Sequence, residues 1–360
     1  MSGGATRDGG PVLVTGGAGF IGCNLVDRLC RDGHRVLVYD SLARPGVERN
    51  LEWLRSTHGS RLAVEIADLR DEARLATAAA SASAVFHFAA QVAVTTSLVD
   101  PAEDFAVNVV GTVNLLEALR RRNRDAPLIF ASTNKVYGNL GGVHLAHERD
   151  TYVPVDRTLR QNGVAEAAGL AFHTPYGCSK GAADQYVLDY AGSFGLRTAA
   201  FRMSCIYGPH QMGTEDQGWV AHFIRSALAG EPITIFGDGH QVRDVLHVGD
   251  AVDAYLAAWA AIDEVSGQAF NLGGGPANAI SLVQLLDCIK HEVGSLDVAF
   301  RDWRPGDQRY YVSDRRRADA SLRLPAPRPW RKGVSELIDW LRQHRRSAPA
   351  PQLAVTDGVA

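Results

Sequence analysis

Two groups of residues in this sequence have types and spacings that suit chemistry, and the first is a glycine-rich run near the start. Gly16, Gly19 and Gly22 end a short apolar, β-branched stretch with G-x-x-G-x-x-G spacing. Glycines there allow a tight turn, let a pyrophosphate approach the backbone and let the next helix pack closely. Because free N–H groups and the helix dipole favour phosphate, the run predicts a cofactor loop that continues through Phe20 and Ile21. A plain tight turn is the alternative.

The context of this loop favours a dinucleotide. A second apolar run, 35–39, ends at Asp40 about twenty residues beyond the loop, where a carboxylate can bind both ribose hydroxyls. Asp40 therefore predicts NAD rather than NADP, since it would repel a 2′-phosphate. Arg44 is the nearby cation that can compensate a 2′-phosphate, so NADP stays the alternative cofactor. The other interpretation of Asp40 is a turn residue that ends the strand.

The second group is Tyr176 and Lys180, which lie four positions apart and would share one helical face. A tyrosine, with an unperturbed pKa near ~10, is a poor base at neutral pH. The Lys180 ammonium and a positive nicotinamide ring are expected to lower that pKa and favour proton abstraction. Thr133 follows the apolar run 128–132 and supplies a hydroxyl that can share the substrate proton. Lys180 can also hold the nicotinamide ribose.

Composition restricts the class of protein. The chain has 360 residues, of which 46% are apolar, and its formal charge is −3. This length and apolar content are enough to form one large domain or two modest ones. This charge predicts no nucleic-acid and no membrane partner. Five cysteines without metal or disulfide spacing predict a reducing, cytoplasmic compartment and no metal. Segment 1–10 lacks the apolar core of a signal peptide and is expected to be a disordered tail.

Short apolar strands alternate with helical segments along the first half of the chain, a pattern typical of an α/β fold with a Rossmann-type, doubly wound parallel sheet. Apolar spacing predicts long helices over 101–122 and 176–194. The strands are predicted near 12–15, 35–39, 62–66, 84–88, 127–132 and 197–203.

The predicted division of the chain is a Rossmann domain at 11–207 and a smaller mixed α/β lobe at 208–346. Some segments of that lobe can return to the main sheet, and a flexible tail is expected at 347–360. The predicted strands of the lobe are 233–236, 242–246 and 268–271.

Segment 138–175 shows no clear periodicity and is longer than a routine connection. Loops of this length are usually functional or disordered. Because the segment directly precedes the Tyr176 helix, it is predicted to be a flap over the substrate site. A simple surface insertion is the alternative.

With its motifs in this order, the sequence resembles the extended short-chain dehydrogenases/reductases, the family of NAD-dependent nucleotide-sugar epimerases and dehydratases, from about residue 11 to about residue 345. The resemblance implies further cofactor contacts by Asp68, Leu69, Phe88, Ala89, Ala90, Gln91, Asn108, Ser132 and Met203. It also implies that the nucleotide-diphosphate sugar contacts Thr133, Asn134, Lys135, Cys205, Gln217, Trp219, Arg243 and Arg309.

Arginine suits a diphosphate because its planar fork binds phosphate bidentately. Surface salt bridges are the alternative for Arg243 and Arg309. Apolar filling is the alternative for Cys205.

Three segments resemble the CDP-paratose 2-epimerase branch of this family: 132–138, 176–189 and 216–220. The 4,6-dehydratases of the family carry an Asp-Glu pair directly after the threonine, to protonate the leaving hydroxyl and deprotonate C5. Here Asn134 and Lys135 occupy those places, and neither can act as a carboxyl acid. Elimination is therefore disfavoured.

The resemblance implies a redox-neutral inversion. Tyr176 removes a hydroxyl proton while NAD takes the hydride, the keto-sugar turns over, and hydride returns to the opposite face of C2, so that NAD stays bound. The alternatives are a 4-epimerase of the UDP-glucose or UDP-glucuronate type, a 4,6-dehydratase or decarboxylase, and a non-catalytic NAD-binding regulator. Related enzymes form dimers through the helices equivalent to 101–122 and 176–194, so a homodimer is expected.

Overall fold

The computed structural model describes residues 9–304 and 307–346. The tails expected at 1–10 and 347–360 lie outside the described residues, apart from Gly9 and Gly10. No helix in the described part of the chain is both long and apolar enough to cross a membrane.

Strands and helices alternate through most of the chain. The strands are β1 (Val12–Thr15), β2 (Val36–Asp40), β3 (Leu62–Ile66), β4 (Ala84–His87), β5 (Leu128–Thr133), β6 (Leu145–Glu148), β7 (Thr151–Pro154), β8 (Thr198–Met203), β9 (Cys205–Tyr207), β10 (Ile233–Phe236), β11 (Val242–His247), β12 (Gln268–Leu272), β13 (Ala279–Ser281), β14 (Val298–Arg301) and β15 (Tyr310–Tyr311). The helices are α1 (Phe20–Arg31), α2 (Val47–His58), α3 (Glu72–Ala80), α4 (Val94–Val99), α5 (Pro101–Phe105), α6 (Gly111–Arg122), α7 (Arg157–Asn162), α8 (Thr174–Phe194), α9 (Trp219–Ala229), α10 (Val248–Ala260), α11 (Ile262–Val265), α12 (Leu282–Val293), α13 (Arg316–Leu322) and α14 (Trp330–Arg346).

The main sheet has seven parallel strands in the order β12-β8-β5-β4-β1-β2-β3. Its central strands β1, β4 and β5 are buried along their whole length, as expected when helices cover both faces of a parallel sheet. Along β1, Val12 and Val14 pack against one apolar layer and Leu13 against the other. The predicted doubly wound α/β fold is therefore confirmed.

The strand order places the two cofactor segments beside each other. β1 lies between β2 and β4, so the loops after β1 and β4 leave the sheet on either side of its switch point, where open α/β sheets bind ligands. The backbone N–H groups of Phe88 and Ala89 donate to the Thr15 carbonyl over 3.0 and 3.1 Å. The loop after β4 is thus fixed against the glycine loop.

The strand predicted at 268–271 does not lie apart from the main sheet. As β12 it pairs in parallel with β8 and forms the edge of the seven-stranded sheet. The remaining strands of the C-terminal part form two small sheets, one of β10 and β14 and one of β9, β11, β13 and β15. A separate apolar cluster joins these sheets to α9, α12 and α14.

Segment 138–175 contains regular structure that its sequence did not indicate: the antiparallel hairpin β6–β7 and helix α7. Backbone hydrogen bonds attach it to the rest of the protein, from the Tyr152 N–H to the His240 carbonyl and from the Val164 N–H to the Val312 carbonyl. It is therefore a folded insertion that packs against the C-terminal part.

The predicted helix 101–122 is continuous but not uniform. A π-helical turn, Ala106–Val110, separates α5 from α6. Such turns often mark functional sites, and here the turn contains the buried residue Asn108.

Candidate active site

The glycine loop after β1 has the backbone that its sequence predicted. Gly16 has φ +68°, and a Cβ there would lie 2.6 Å from the backbone nitrogen of Ala89. A Cβ on Gly22 would lie 2.2 Å from the Gly16 carbonyl oxygen, so a side chain would displace α1. No side chain caps the start of α1 at Gly19, which leaves its first N–H groups available to a phosphate.

Asp40 ends β2 beside this loop. Its carboxylate accepts hydrogen bonds from the backbone N–H groups of Ala18 and Leu42, both at 2.9 Å. Burial raises the pKa of Asp40, while these hydrogen bonds lower it. A carboxylate fixed in this way beside the phosphate loop fits a ribose.

Arg44, the cation that could bind the 2′-phosphate of NADP, has other partners in the structure. Its guanidinium donates to the Gln217 side-chain oxygen and, at 3.4 Å, to the Met212 carbonyl. The side-chain oxygen of Gln217 is thereby bound to Arg44, and the predicted contact of Gln217 with the sugar stays a prediction.

The other expected cofactor residues fall into two groups. Phe88 and Ala89 border the glycine loop, Ala90 and Gln91 follow them in the chain, and the buried Ser132 hydroxyl has no hydrogen-bond partner in the described structure. The second group has protein partners: Asp68 pairs with Arg70 at 2.8 Å, the Met203 sulfur accepts from the Tyr255 hydroxyl at 3.3 Å, and Leu69 packs under Gly111. The glycine cradle, Asp40 and the unpartnered Ser132 fit a dinucleotide.

Asn108 holds this border in place. Its side-chain oxygen accepts from the Gln91 N–H at 2.9 Å, and its amide nitrogen donates to the Gln91 carbonyl at 3.1 Å and to Ser179 at 3.0 Å. Asn108 therefore ties the loop after β4 to α8, which carries Tyr176 and Lys180.

The structure brings Thr133, Tyr176 and Lys180 together. The backbone N–H of Tyr176 donates to the Ser97 hydroxyl at 3.2 Å, and the Tyr176 hydroxyl interacts with that of Thr133. One turn further along α8, Lys180 is buried with its ammonium 4.1 Å from the centroid of the Phe130 ring. The end of β5 and the start of α8 thus meet at a hydroxyl pair, and the Lys180 ammonium lies over a ring of the same strand.

The protein groups shift the pKa of Tyr176 in the direction opposite to the one expected. Burial raises it to about 12, and the Thr133 hydrogen bond opposes this only in part. Burial also lowers the pKa of Lys180 to about 7, against the attraction of Asp184 and Asp104. Without the cofactor, the Asp104 charge adds to the effect of burial on Tyr176, and the lowering expected from Lys180 together with a positive nicotinamide ring stays a prediction.

Two buried carboxylates near Lys180 were not singled out from the sequence. Asp104 accepts a hydrogen bond from Ser179, and Asp184 forms a bidentate pair with Arg202 at 2.9 and 3.1 Å. Asp184 follows Lys180 by four positions, a spacing that could have indicated it. Arg202 gave no such signal, because its pairing depends on β8 lying under α8.

The expected substrate residues form one main cluster. The Trp219 indole N–H donates to the Cys205 sulfur at 3.3 Å, and the Arg243 guanidinium donates to the carbonyls of Val242 and Gln308 at 2.8 and 2.6 Å. Asn134 donates weakly to the Gln308 side chain at 3.5 Å. Lys135 shares this pocket electrostatically with Arg243 and Cys205.

Arg309 differs from Arg243. It is exposed, and its guanidinium carbon lies 5.3 Å from the centroid of the Trp303 ring and 5.9 Å from that of Tyr152. Its backbone carbonyl accepts from the Val242 N–H, so it lies directly before β15, the strand that pairs with Arg243. The structure therefore places it at the rim of the cluster.

The chain belongs to the NAD dependent epimerase/dehydratase family, whose model matches residues 12–273. The predicted family, and with it NAD as the cofactor, is confirmed.

Particular relatives match almost the whole chain. It is 41% identical over 342 residues to the CDP-paratose 2-epimerase of Salmonella typhi, with 91% of this chain and 98% of that protein covered. The structure of Thermotoga maritima UDP-glucose 4-epimerase with UDP-glucose aligns with a TM-score of 0.78 at 29% identity, over 93% of this chain and 99% of that one. The UDP-glucose 4-epimerase of Thermus thermophilus in complex with NAD aligns with a TM-score of 0.77 at 30% identity, over 92% of this chain and 99% of that one.

Proposed function

We propose that this NAD-dependent nucleotide-sugar epimerase inverts C2 of a CDP-linked hexose of the paratose type. The observation that carries the proposal is the pair Asn134–Lys135 directly after Thr133, in a site that otherwise has the tyrosine, lysine and cofactor cradle of its family. The 41% identity to a CDP-paratose 2-epimerase supports the nucleotide and the carbon.

The residues of this chain have separate roles in the proposed reaction. The Tyr176 hydroxyl takes the proton of the sugar hydroxyl that is oxidised, and Thr133 shares that proton through its own hydroxyl. Bound NAD supplies a hydride acceptor and donor, held by the glycine loop and by Asp40. Because the protein groups, Lys180 included, leave the pKa of Tyr176 raised to about 12, the positive nicotinamide ring of bound NAD would have to lower it for Tyr176 to act as a base.

The carboxyl pair that serves elimination in the family is absent beside Thr133. Asn134 cannot donate a proton as a carboxyl group does, and Lys135, whose pKa burial lowers to about 8, is mostly protonated near neutral pH and is therefore a poor base for the C5 proton. A 4-epimerase of the UDP-glucose type is the second candidate. The alignments with two solved 4-epimerases support it.

We assign the nucleotide-binding role to the C-terminal lobe, 208–346, and the cofactor role to 11–207. Arg243 supports this division because, among the described residues, its guanidinium donates hydrogen bonds to two carbonyl oxygens and forms no salt bridge. The 138–175 insertion contacts both parts, and we propose that it forms one wall of the substrate site.

We further propose a homodimer formed through α4, α5 and α8. Large apolar side chains on these helices are exposed, although most such side chains elsewhere are buried. They are Leu98, Val99, Phe105, Tyr186 and Phe194.

A cytoplasmic location is also proposed, because all five cysteines are free thiols and two buried ones, Cys23 and Cys30, would be at risk of oxidation on unfolding in an oxidising compartment.

A panel of CDP-, UDP-, GDP- and dTDP-hexoses tests the proposed function. Each is incubated with the purified holoenzyme, and the products are resolved by NMR. We expect a CDP-linked sugar to be inverted at C2 without net oxidation. A product inverted only at C4, or an unsaturated or keto product, would contradict the assignment.

A further inference from the structure

Lysine is rare in this chain, and its places are informative. Only four of the 37 basic residues are lysines, at positions 135, 180, 290 and 332. Lys290 and Lys332 are exposed on helices, whereas Lys180 belongs to the candidate catalytic group. Lys135 is the remaining one. It is half-buried two residues after Thr133, and its backbone N–H donates to the Thr133 hydroxyl oxygen at 3.2 Å.

The surroundings of Lys135 hold a second cation and little negative charge. Asn134, the neighbour of Lys135, donates to the Gln308 side chain at 3.5 Å, and Arg243 donates to the Gln308 carbonyl at 2.6 Å, so both cations lie beside Gln308. The Lys135 ammonium is repelled by Arg243 and attracted by Asp307. In the described part of the chain no carboxylate lies within salt-bridge distance of Lys135 or Arg243. Backbone carbonyls hold the Arg243 guanidinium, and Asp307 and Asp244 act on it electrostatically. Two partly buried cations that repel each other are stabilised further by an anion between them.

The carbon that reacts determines where such an anion must lie. In a nucleotide sugar, C2 is separated from the nearest phosphorus by three bonds, through C1 and its oxygen. C4 is separated by five bonds, across the ring. An enzyme that presents C2 to Thr133 and Tyr176 therefore brings the diphosphate much closer to Thr133 than a 4-epimerase does, and a cation at position 135 can reach it.

We propose that Lys135 is a specificity-determining residue whose ammonium, together with the Arg243 guanidinium, binds the diphosphate of the substrate so that C2 rather than C4 faces Thr133 and Tyr176. This inference rests on the proposed function for the choice of carbon. Its diphosphate-binding part also rests on the two neighbouring cations, and it can be tested with a nucleotide that carries no sugar.

Calorimetric titration of the NAD-loaded protein with CDP tests the inference. Lys135→Met removes the charge and keeps the length of the side chain, and Lys290→Met is the matched control. We expect Lys135→Met to bind CDP about 10- to 100-fold more weakly, the effect of one charge-assisted hydrogen bond. Cytidine, which lacks phosphate, should bind both variants and the wild type equally. Lys135→Arg should restore most of the CDP affinity.

The pH dependence is a second readout. Burial and the nearby Arg243 lower the pKa of Lys135 to about 8, against Asp307 and Cys205. Wild-type affinity for CDP should therefore fall as the pH rises from 7 to 9.5, and that of Lys135→Met should change less.

Two results would overturn the inference: equal CDP affinity in Lys135→Met and Lys290→Met, or an equal loss for CDP and cytidine.

A titration with UDP distinguishes a failure of this inference from a failure of the proposed choice of nucleotide. The ratio of the Lys135→Met and wild-type dissociation constants should be the same for UDP and CDP, because both share the diphosphate. If the hexose panel fails but these ratios hold, the proposed function is wrong and the diphosphate site stands. A Lys135→Met enzyme with undiminished C2 selectivity would overturn the specificity role alone.

Discussion

His87 connects acid stability to the cofactor loop. It is fully buried at the end of β4, with Nδ1 2.7 Å from the Thr15 hydroxyl oxygen and Nε2 3.0 Å from that of Thr112. Burial, assisted by the Lys180 charge, lowers the pKa of His87 from 6.5 to about 3. Thr15 directly precedes Gly16, so this contact supports the start of the phosphate loop. We expect His87→Gln to make the protein less sensitive to acid.

Proton linkage sets the sign and the size of the effect. Between the unfolded pKa of 6.5 and the folded pKa of about 3, the unfolded chain protonates His87 while the folded protein keeps it neutral. Stability therefore falls as the pH falls. At about 1.36 kcal/mol per pKa unit, a decrease from pH 6.5 to pH 5 removes about 2 kcal/mol from the free energy of unfolding. Glutamine does not titrate, and it keeps a donor and an acceptor for the two threonines.

Urea unfolding of the wild type and of His87→Gln, near pH 7.5 and near pH 5 with saturating NAD, measures this difference. Burial lowers the pKa of His210 and of His247 to about 4, but these residues contribute equally to both proteins and cancel. We expect the wild type to lose about 2 kcal/mol more than the variant on acidification. Equal losses would refute the claim that the fold keeps His87 neutral.

Three further predictions concern the site and the assembly. Tyr176→Phe should keep the fold and bound NAD but lower turnover by about two to four orders of magnitude, the usual contribution of a general base; near-full activity would remove Tyr176 from the mechanism. The wild type should release NAD(H) rather than NADP(H) on denaturation, and Asp40→Ala should bind NAD about 10- to 100-fold more weakly by calorimetry. NADP in the wild-type pool would contradict the role of Asp40. Light scattering should show a dimer for the wild type and a monomer for Phe105→Glu at micromolar concentration, and a monomeric wild type would refute the interface.

The sequence was most informative where local pattern determines structure. The apolar run of β1, the glycine spacing after it and the carboxylate at Asp40 require only neighbouring residues, and the structure places them side by side. The pair Tyr176 and Lys180 could be predicted equally well from the sequence, because helical spacing alone puts the two residues on one face.

The features that were missed depend on distant contacts. A strand sequence carries no mark of its partner, so the sequence allowed a return of some segments to the main sheet but did not indicate that β12 is the one, paired with β8. The Arg44–Gln217 contact joins residues far apart in the chain, and the Asp184–Arg202 pair requires a helix to lie over a particular strand. The raised pKa of Tyr176 has the same origin, because desolvation depends on the whole fold rather than on the residue four positions away.

The central claim is a redox-neutral inversion at C2 by return of the same hydrogen. Its most direct test is to convert a CDP-linked paratose-type sugar in deuterated water and to examine the product by proton NMR. We predict a product inverted at C2 that keeps its original protium at that carbon, because the hydrogen moves only between the sugar and the bound cofactor. Deuterium at C2 would show that a proton is removed from carbon and would contradict the mechanism, and inversion at C4 alone would contradict the assignment.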